Sequence, residues 1–432
     1  MNHLLSLIWD KIKTSMWLYP IMCSVASAIL AYYIIYLDKN HNHYNTVPWL
    51  SDLNIGIQAT RQVFIVTTSG VLTLTGVVFS ISMVALTMAS SQFGPKVLRN
   101  FISDSTNKLI LGILISTFMY GLITLSLIDG KENGYTPLYA MFVNLLLTSA
   151  SIAGIIYFIH RISTSIQADQ IISEIARDIS NNTHTLCNNE LADINDSELQ
   201  WENITHENAY TVSTCHSGYV QSINYEGLTK LIADNQCTLF ISTRAGKFIL
   251  PNASIGTLYK NEFDKSLINQ ILDCISIDRK RTPIQDLEYS IEQLVQVTLR
   301  ALSPGINDSI TAITCVDWLS SSILELAECN FSSTVLTDSD GIVRLKYNNF
   351  SFEGAVNTAI SPIRQNCCNN VMVSVHLLEN LVTMHKTVSN ADYRNIILKQ
   401  INALVSKIHL NNLSAIDQKK IDSIIENLDE SL

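Results

Sequence analysis

The residues best placed to do chemistry in this chain form a stripe of hydroxyls. Ser69, Thr73, Gly76, Ser80, Met83, Thr87 and Ser90 follow one another at steps of four and three inside a long apolar run. That spacing puts them on one face of a helix. Val71, Leu74, Val78, Ile81 and Met88 fall on the opposite face and suit lipid. Small and hydroxylated residues let membrane helices approach closely and bond across their interface. The same hydroxyls, lining a water-filled path through an oligomer, can replace part of an ion's hydration shell. Both readings stay open. No carboxylate or basic residue sits at mid-span, which weighs against a proton-coupled transporter and not against a weakly selective channel.

A second candidate is the loop Ser303-Pro304-Gly305-Ile306-Asn307-Asp308, which follows an amphipathic segment from Asp286 to Leu302 and precedes a further helix. Pro304-Gly305 makes the turn, and Asn307 or Asp308 can cap the next helix through a side-chain oxygen. A helix start also offers free amides to an anion. Ser303, Gly305, Asn307 and Asp308 are therefore candidate ligand or partner contacts, although capping alone accounts for them. His41 and His43 sit two apart in a polar loop, where they are either transient metal ligands or polar filler, and no metal site is expected. The chain has no P-loop, His-Glu-x-x-His, Gly-x-Ser-x-Gly or paired-glycine nucleotide fingerprint, so no catalytic residue is assigned and no enzyme is expected.

The elements that carry these residues follow from hydropathy. Four apolar stretches, about 16–37, 62–90, 109–128 and 138–160, reach the roughly 20 residues that a membrane helix needs. Lys11, Lys13, Lys96, Arg99, Lys108 and Arg161 flank one side of these spans, against Lys39, Arg61 and Lys131 on the other. The excess predicts cytoplasmic N- and C-termini. Apolar residues make up 47% of the chain and charged residues 15%, and the charge deficit is concentrated before Arg161. A net charge of -10, with no basic cluster, argues against a nucleic-acid partner. Nine cysteines without paired spacing predict no disulfide framework and a reducing setting for the part after the spans.

Beyond the spans, residues 162–208 read as a helical extension and a polar linker, with Ile162, Ile166, Ile171, Ile172, Ile175 and Ile179 on one helical face. Residues 209–260 read as a small β module with strands at Gly218–Ile223, Leu239–Ile241, Arg244–Leu250 and Ile255–Leu258. It looks like a barrel-sandwich of the biotinyl or lipoyl carrier type. Neither Met-Lys-Met nor Asp-Lys-Ala occurs, so a docking module and no cofactor are expected. Residues 261–432 read as mainly helical, with a β hairpin near 334–352 and three helices after it. The fold class expected is an α-helical membrane domain of four transmembrane helices plus an α+β cytosolic domain containing the barrel-sandwich-like module.

Several long motifs are shared with a known family. Gly76-Val-Val-Phe-Ser-Ile-Ser-Met-Val-Ala-Leu86, Ala89 to Phe101, Tyr157-Phe-Ile-His160, Gly218-Tyr-Val-Gln221 and Ala301 to Asp308 with Thr311-Ala312 resemble the bacterial membrane family known as domain of unknown function 2254. Ser309 departs from the proline that the family pattern carries after Asn-Asp. The resemblance implies a four-helix membrane protein with a cytosolic domain, and it brings no substrate or catalytic residue. The leading functional expectation is an oligomeric channel or pore, in contact with the lipid bilayer and with further copies of itself, gated by its cytosolic domain. The alternative is a non-conducting, membrane-anchored sensor or scaffold whose cytosolic domain binds a ligand or partner.

Overall fold

The computed structural model describes residues 17–40, 56–94, 105–128, 136–165, 167–187, 201, 208–260, 262, 264–283, 285–329, 334–408 and 414–429. His41, His43, Lys11, Lys13, Lys96, Arg99 and Lys131 lie outside the described residues. The chain forms two compact units, Met1–Gln170 and Ile171–Leu432.

The first unit is helical. Its elements are α1 (Leu18–Asn40), α2 (Ile57–Phe93), α3 (Ser105–Leu127) and α4 (Leu138–Ser165). At 37 residues, α2 extends beyond the expected span at both ends and is roughly 55 Å long. It stops at Gly94, whose φ of 93° needs glycine and whose amide donates to Ser90 O at 3.2 Å. One apolar cluster joins Val71, Val78 and Ala85 of α2 to Ile110, Leu111 and Leu114 of α3 and Phe158 and Ile162 of α4. A second joins Ala31 and Ile35 of α1 to Phe64, Tyr120, Ala140 and Met141.

This packing corrects the expectation for the apolar face of α2. Val71 and Val78, expected toward lipid, are each only 1% exposed, and Leu74 and Ile81 are half-buried. The reason is register: they share a line with Phe64 and Ala85, and that line meets Leu114 and Phe158. Met88 is exposed, as expected. The lipid-suited surface instead carries Ile21, Val25, Leu72, Phe79, Leu146 and Ile156, all exposed.

Polar groups also tie the helices together. Asn144 Nδ2 donates to Thr67 Oγ1 at 2.7 Å, and Ser151 Oγ donates to Thr117 Oγ1 at 2.9 Å. Gly121 gives Thr68 its place, because a Cβ there would stand 2.1 Å from Thr68 Oγ1. Asp38, buried near the end of α1, accepts from Tyr139 N at 3.2 Å and Ala140 N at 3.0 Å. A carboxylate at that position satisfies free amides and complements the positive end of the α4 dipole.

Helix α5 (Ala168–Cys187), most of it in the second unit, buries Ile171, Ile172, Ile175 and Ile179 and covers the first seven residues of the linker expected from Asn181 on. Then come β1 (Ala209–Ser213), β2 (Gly218–Ile223), α6 (Tyr225–Asp234), β3 (Thr238–Ile241), β4 (Phe248–Ile249), β5 (Ser254–Tyr259), α7 (Lys265–Asp273) and β6 (Ile275–Asp278). The chain continues through α8 (Leu287–Ala301), α9 (Ser309–Ala327), β7 (Val335–Thr337), β8 (Val343–Tyr347), α10 (Phe352–Asn366), α11 (Val371–Thr387), α12 (Ala391–Ile408) and α13 (Ala415–Asp429). Four helices thus follow the hairpin among the described residues, where three were expected.

The barrel-sandwich expectation is replaced by two sheets, one of order β1-β5-β3-β8-β7 and one of order β4-β2-β6. The distant hairpin supplies β8, which pairs in parallel with β3 (Leu239 opposite Leu345). Residues 244–246, expected in a strand, form a turn instead, with Gly246 at φ 85°. Helix α6 was also unforeseen; Asn224 caps it by accepting from Gly227 N at 3.0 Å, and its Leu228 and Ile232 enter the core with Val220, Leu239, Leu258, Ile271 and Leu345.

Among the described residues, five helices are long and apolar enough to cross a membrane: α1 to α4 and also α9. Helix α9 packs against α8, α10 and α11, burying Cys315, Val316, Leu319, Ile323 and Leu326.

Asp38→Ala leaves the first amides of α4 without their buried acceptor, which costs about 1–3 kcal/mol. The variant is expected to unfold at a lower temperature in detergent, with Asp38→Asn partly restoring it. A melting curve that matches the wild type for Asp38→Ala would contradict this role for the carboxylate.

Candidate functional site

The helical repeat that turns Val71 and Val78 inward turns the hydroxyl stripe outward. Ser69, Thr73, Gly76, Ser80, Met83 and Thr87 are exposed on the first unit, and Ser90 is half-buried. A Cβ added at Gly76 meets nothing within 4 Å among the described residues. Three of the hydroxyls donate to carbonyls of their own helix: Ser69 to Val66 O at 3.1 Å, Thr73 to Ser69 O at 3.0 Å and Thr87 to Met83 O at 2.8 Å. Their donors are satisfied locally, so the stripe presents oxygen lone pairs and small profiles to whatever lies outside.

The loop candidates in the second unit are drawn into local bonds. Ser303 Oγ donates to Arg300 O at 2.6 Å, and Ser303 O accepts from Ile306 N at 3.0 Å and Asn307 N at 2.9 Å. Asn307 has a φ of 48°, a left-handed conformation that asparagine tolerates. It directs Asp308 N back to Ala301 O at 2.8 Å. Asp308 then caps α9, accepting from Thr311 N at 3.0 Å and Thr311 Oγ1 at 2.6 Å. These bonds hold its carboxyl below the usual carboxylate range. Its charge occupies the position at the helix start that a bound anion would take. Ser309 Oγ accepts from Asn370 Nδ2 at 2.6 Å, and Asn370 caps α11, so one hydroxyl links the starts of two helices. Gly305 faces open space, and Ile306 and Ile310 stand exposed beside it.

A third constellation was not foreseen. Arg281 binds both Asp286 oxygens, the Nη2–Oδ1 bond measuring 2.9 Å, and reaches Glu292 at 2.7 Å. Arg244 pairs with Glu288 at 2.6 Å. Asp286 also caps α8 through Tyr289 N at 3.1 Å. Burial pushes the Asp286 carboxyl up, opposed by the bond and charge of Arg281. For Arg281, burial acts to lower the pKa and is outweighed by its bonds to Asp286 and Glu292, which raise it. Gly246 is part of the arrangement, since a Cβ there would stand 2.2 Å from Asp286 Oδ2. The Asp286-Leu-Glu helix start was visible in the sequence; its partner Arg244 lies too far along the chain to be read from spacing.

Among the described residues no group of three or more His, Cys, Asp or Glu could hold a metal ion. Cys329 is disulfide-bonded, where the cysteine spacing predicted no disulfide framework. Cys23, Cys215, Cys237, Cys274, Cys315, Cys367 and Cys368 are free.

Residues 13–383 match the family described as "Predicted membrane protein (DUF2254)". The chain belongs to that family. The match takes in the α2 stripe, the Asp308 cap and the Arg281 network, and leaves α12 and α13 outside it. Similar proteins occur in Mycobacterium bovis and Mycobacterium tuberculosis, each 28% identical over 352 residues, covering 80% of this chain and 67% of theirs. Both carry the description "uncharacterized protein". No solved structure matches the chain.

Asp308→Ala is expected to cost about 1 kcal/mol at neutral pH, the usual worth of an N-cap. Because the folded-state pKa is depressed, this contribution is present above the unfolded carboxylate pKa of about 4 and fades as pH falls through the lower folded value. Melting curves should therefore separate the variant from the wild type at pH 7 and converge in acid. An equal separation at both pH values would show that Asp308 acts through something other than its charge.

Proposed function

We propose that this family member is a multi-pass protein of the bacterial inner membrane with four spans, α1 to α4, and cytoplasmic termini. Helix α9 is left out of the count because Cys315, Val316, Leu319, Ile323 and Leu326 are buried where it packs on α8, α10 and α11. The second unit is then cytosolic. In this reading copies of the chain assemble around their α2 helices, and the stripe Ser69, Thr73, Gly76, Ser80, Thr87 and Ser90 lines a path for ions or small solutes, with the cytosolic unit as its gate. The observation that carries it is the outward direction of the stripe. A purely internal packing role would turn the hydroxyls toward α3 and α4, and that position is held by Val71 and Val78. No catalytic role is assigned to any residue.

One observation favours a second reading. The hydroxyls of Ser69, Thr73 and Thr87 are bonded to their own helix, so they do not need water. A stripe of this kind serves a close, dry contact between copies equally well. The protein would then be a non-conducting anchor, and its cytosolic unit a sensor or scaffold.

Flux of ions and small solutes through liposomes containing the purified chain separates the two. The pore reading predicts flux that falls at least tenfold in a Thr73→Leu, Ser80→Leu double variant whose oligomer stays intact. An oligomer that dissociates in the double variant, with no flux in the wild type, would support the dry interface and overturn the pore.

A further inference from the structure

We propose that the outer face of the β4-β2-β6 sheet docks onto an anionic lipid bilayer. Strand β4 is an edge of this sheet, and its Phe248 lies opposite Tyr219 of β2, the two rings meeting edge to face at 5.0 Å. Phe248 is 52% exposed and Leu250, two residues on, 64%. Leu250 is held out by a structured turn: Ala253 N donates to Leu250 O at 3.1 Å and Asn252 N to Thr214 O at 2.8 Å, with Asn252 at φ 62°. Beneath them Val220 and Ile249 face the core, so Phe248 and Leu250 are not needed to close it.

Charge accompanies these apolar residues. Lys247 precedes Phe248 and is exposed, as are Arg279 and Lys280 just after β6. Asp278, opposite Tyr219 on the other side, offsets one of the three; its Oδ1 accepts from Arg279 N at 2.7 Å. A net basic patch is notable on a chain whose overall charge is -10. An aromatic ring and a leucine rimmed by Lys and Arg match the chemistry of the membrane interface, where rings sit at headgroup depth and cations meet anionic lipid. The chain also supplies the occupant itself. Its membrane helices keep a bilayer at high local concentration beside the second unit, so a weak docking surface is enough. This inference rests on membership of a membrane family and not on the pore.

The test uses the full chain in vesicles of phosphatidylcholine, with and without phosphatidylglycerol, the acyl chains carrying bromine near the headgroup. The five native tryptophans set a quenching baseline, and Phe248→Trp or, independently, Leu250→Trp adds a reporter on the patch. Docking predicts additional quenching in vesicles with phosphatidylglycerol and little without. Changing Lys247, Arg279 and Lys280 together to Gln in the Phe248→Trp background should abolish it, since each basic residue near an anionic surface contributes roughly fivefold to binding. Quenching at the baseline for both reporters would overturn the proposal, as would equal quenching in the two kinds of vesicle. Shielding of the reporter in lipid-free detergent that grows with protein concentration would assign the patch to a second copy of the chain and overturn it too.

Discussion

Helices surrounded by lipid gain nothing from leaving water, so the first unit depends on shape and hydrogen bonds instead of the hydrophobic effect. Its interior shows what that demands. Val71, Val78 and Ala85 give α2 a line of modest width that fits against Leu114 and Phe158. Gly121 lets Thr68 approach, Asn144 bonds to Thr67, and Asp38 closes the start of α4. Once the inner face of α2 is spent this way, the helical repeat leaves its hydroxyl stripe facing out. The proposals about pore or interface all descend from that allocation of faces.

The second unit is built by the opposite rule. Its strands, with α6 and α7, bury one apolar cluster that includes Val220, Leu228, Leu239, Leu258, Ile271 and Leu345. One buried polar group there is densely engaged. Asp286 caps α8 while Arg281 grips both of its oxygens, and Gly246 makes room for the carboxylate. Breaking one partner of such a buried pair leaves an uncompensated charge, which typically costs about 3–5 kcal/mol. The network therefore ties the turn after β3, the loop after β6 and the start of α8 into one arrangement.

Much of this was legible in the sequence because it is local. The apolar runs, the 3.6-residue period of the stripe, the Asn224 to Asp234 region's flanking strands and the capping role of Asp308 all depend on neighbours within a few residues. What was not legible is long-range. Nothing near Val71 tells which face of α2 meets another helix, so lipid was assigned to the wrong side. The parallel pairing of β8 with β3 joins residues more than 100 positions apart, and it turned an expected isolated hairpin into part of a five-stranded sheet. Asp38 falls just past the expected span of about 16–37, and only the folded bundle brings it to Tyr139 and Ala140.

The central claim is that the stripe faces a neighbouring copy or the space that copies enclose. Single cysteines at Ser80 and at Val78, introduced into the full chain in native membranes and oxidised, test it directly. The account predicts a disulfide-linked dimer from Ser80→Cys and none above the wild-type background from Val78→Cys, which the bundle buries. Cross-linking through Val78→Cys, or none through Ser80→Cys and its stripe neighbours Thr73→Cys and Thr87→Cys, would contradict it.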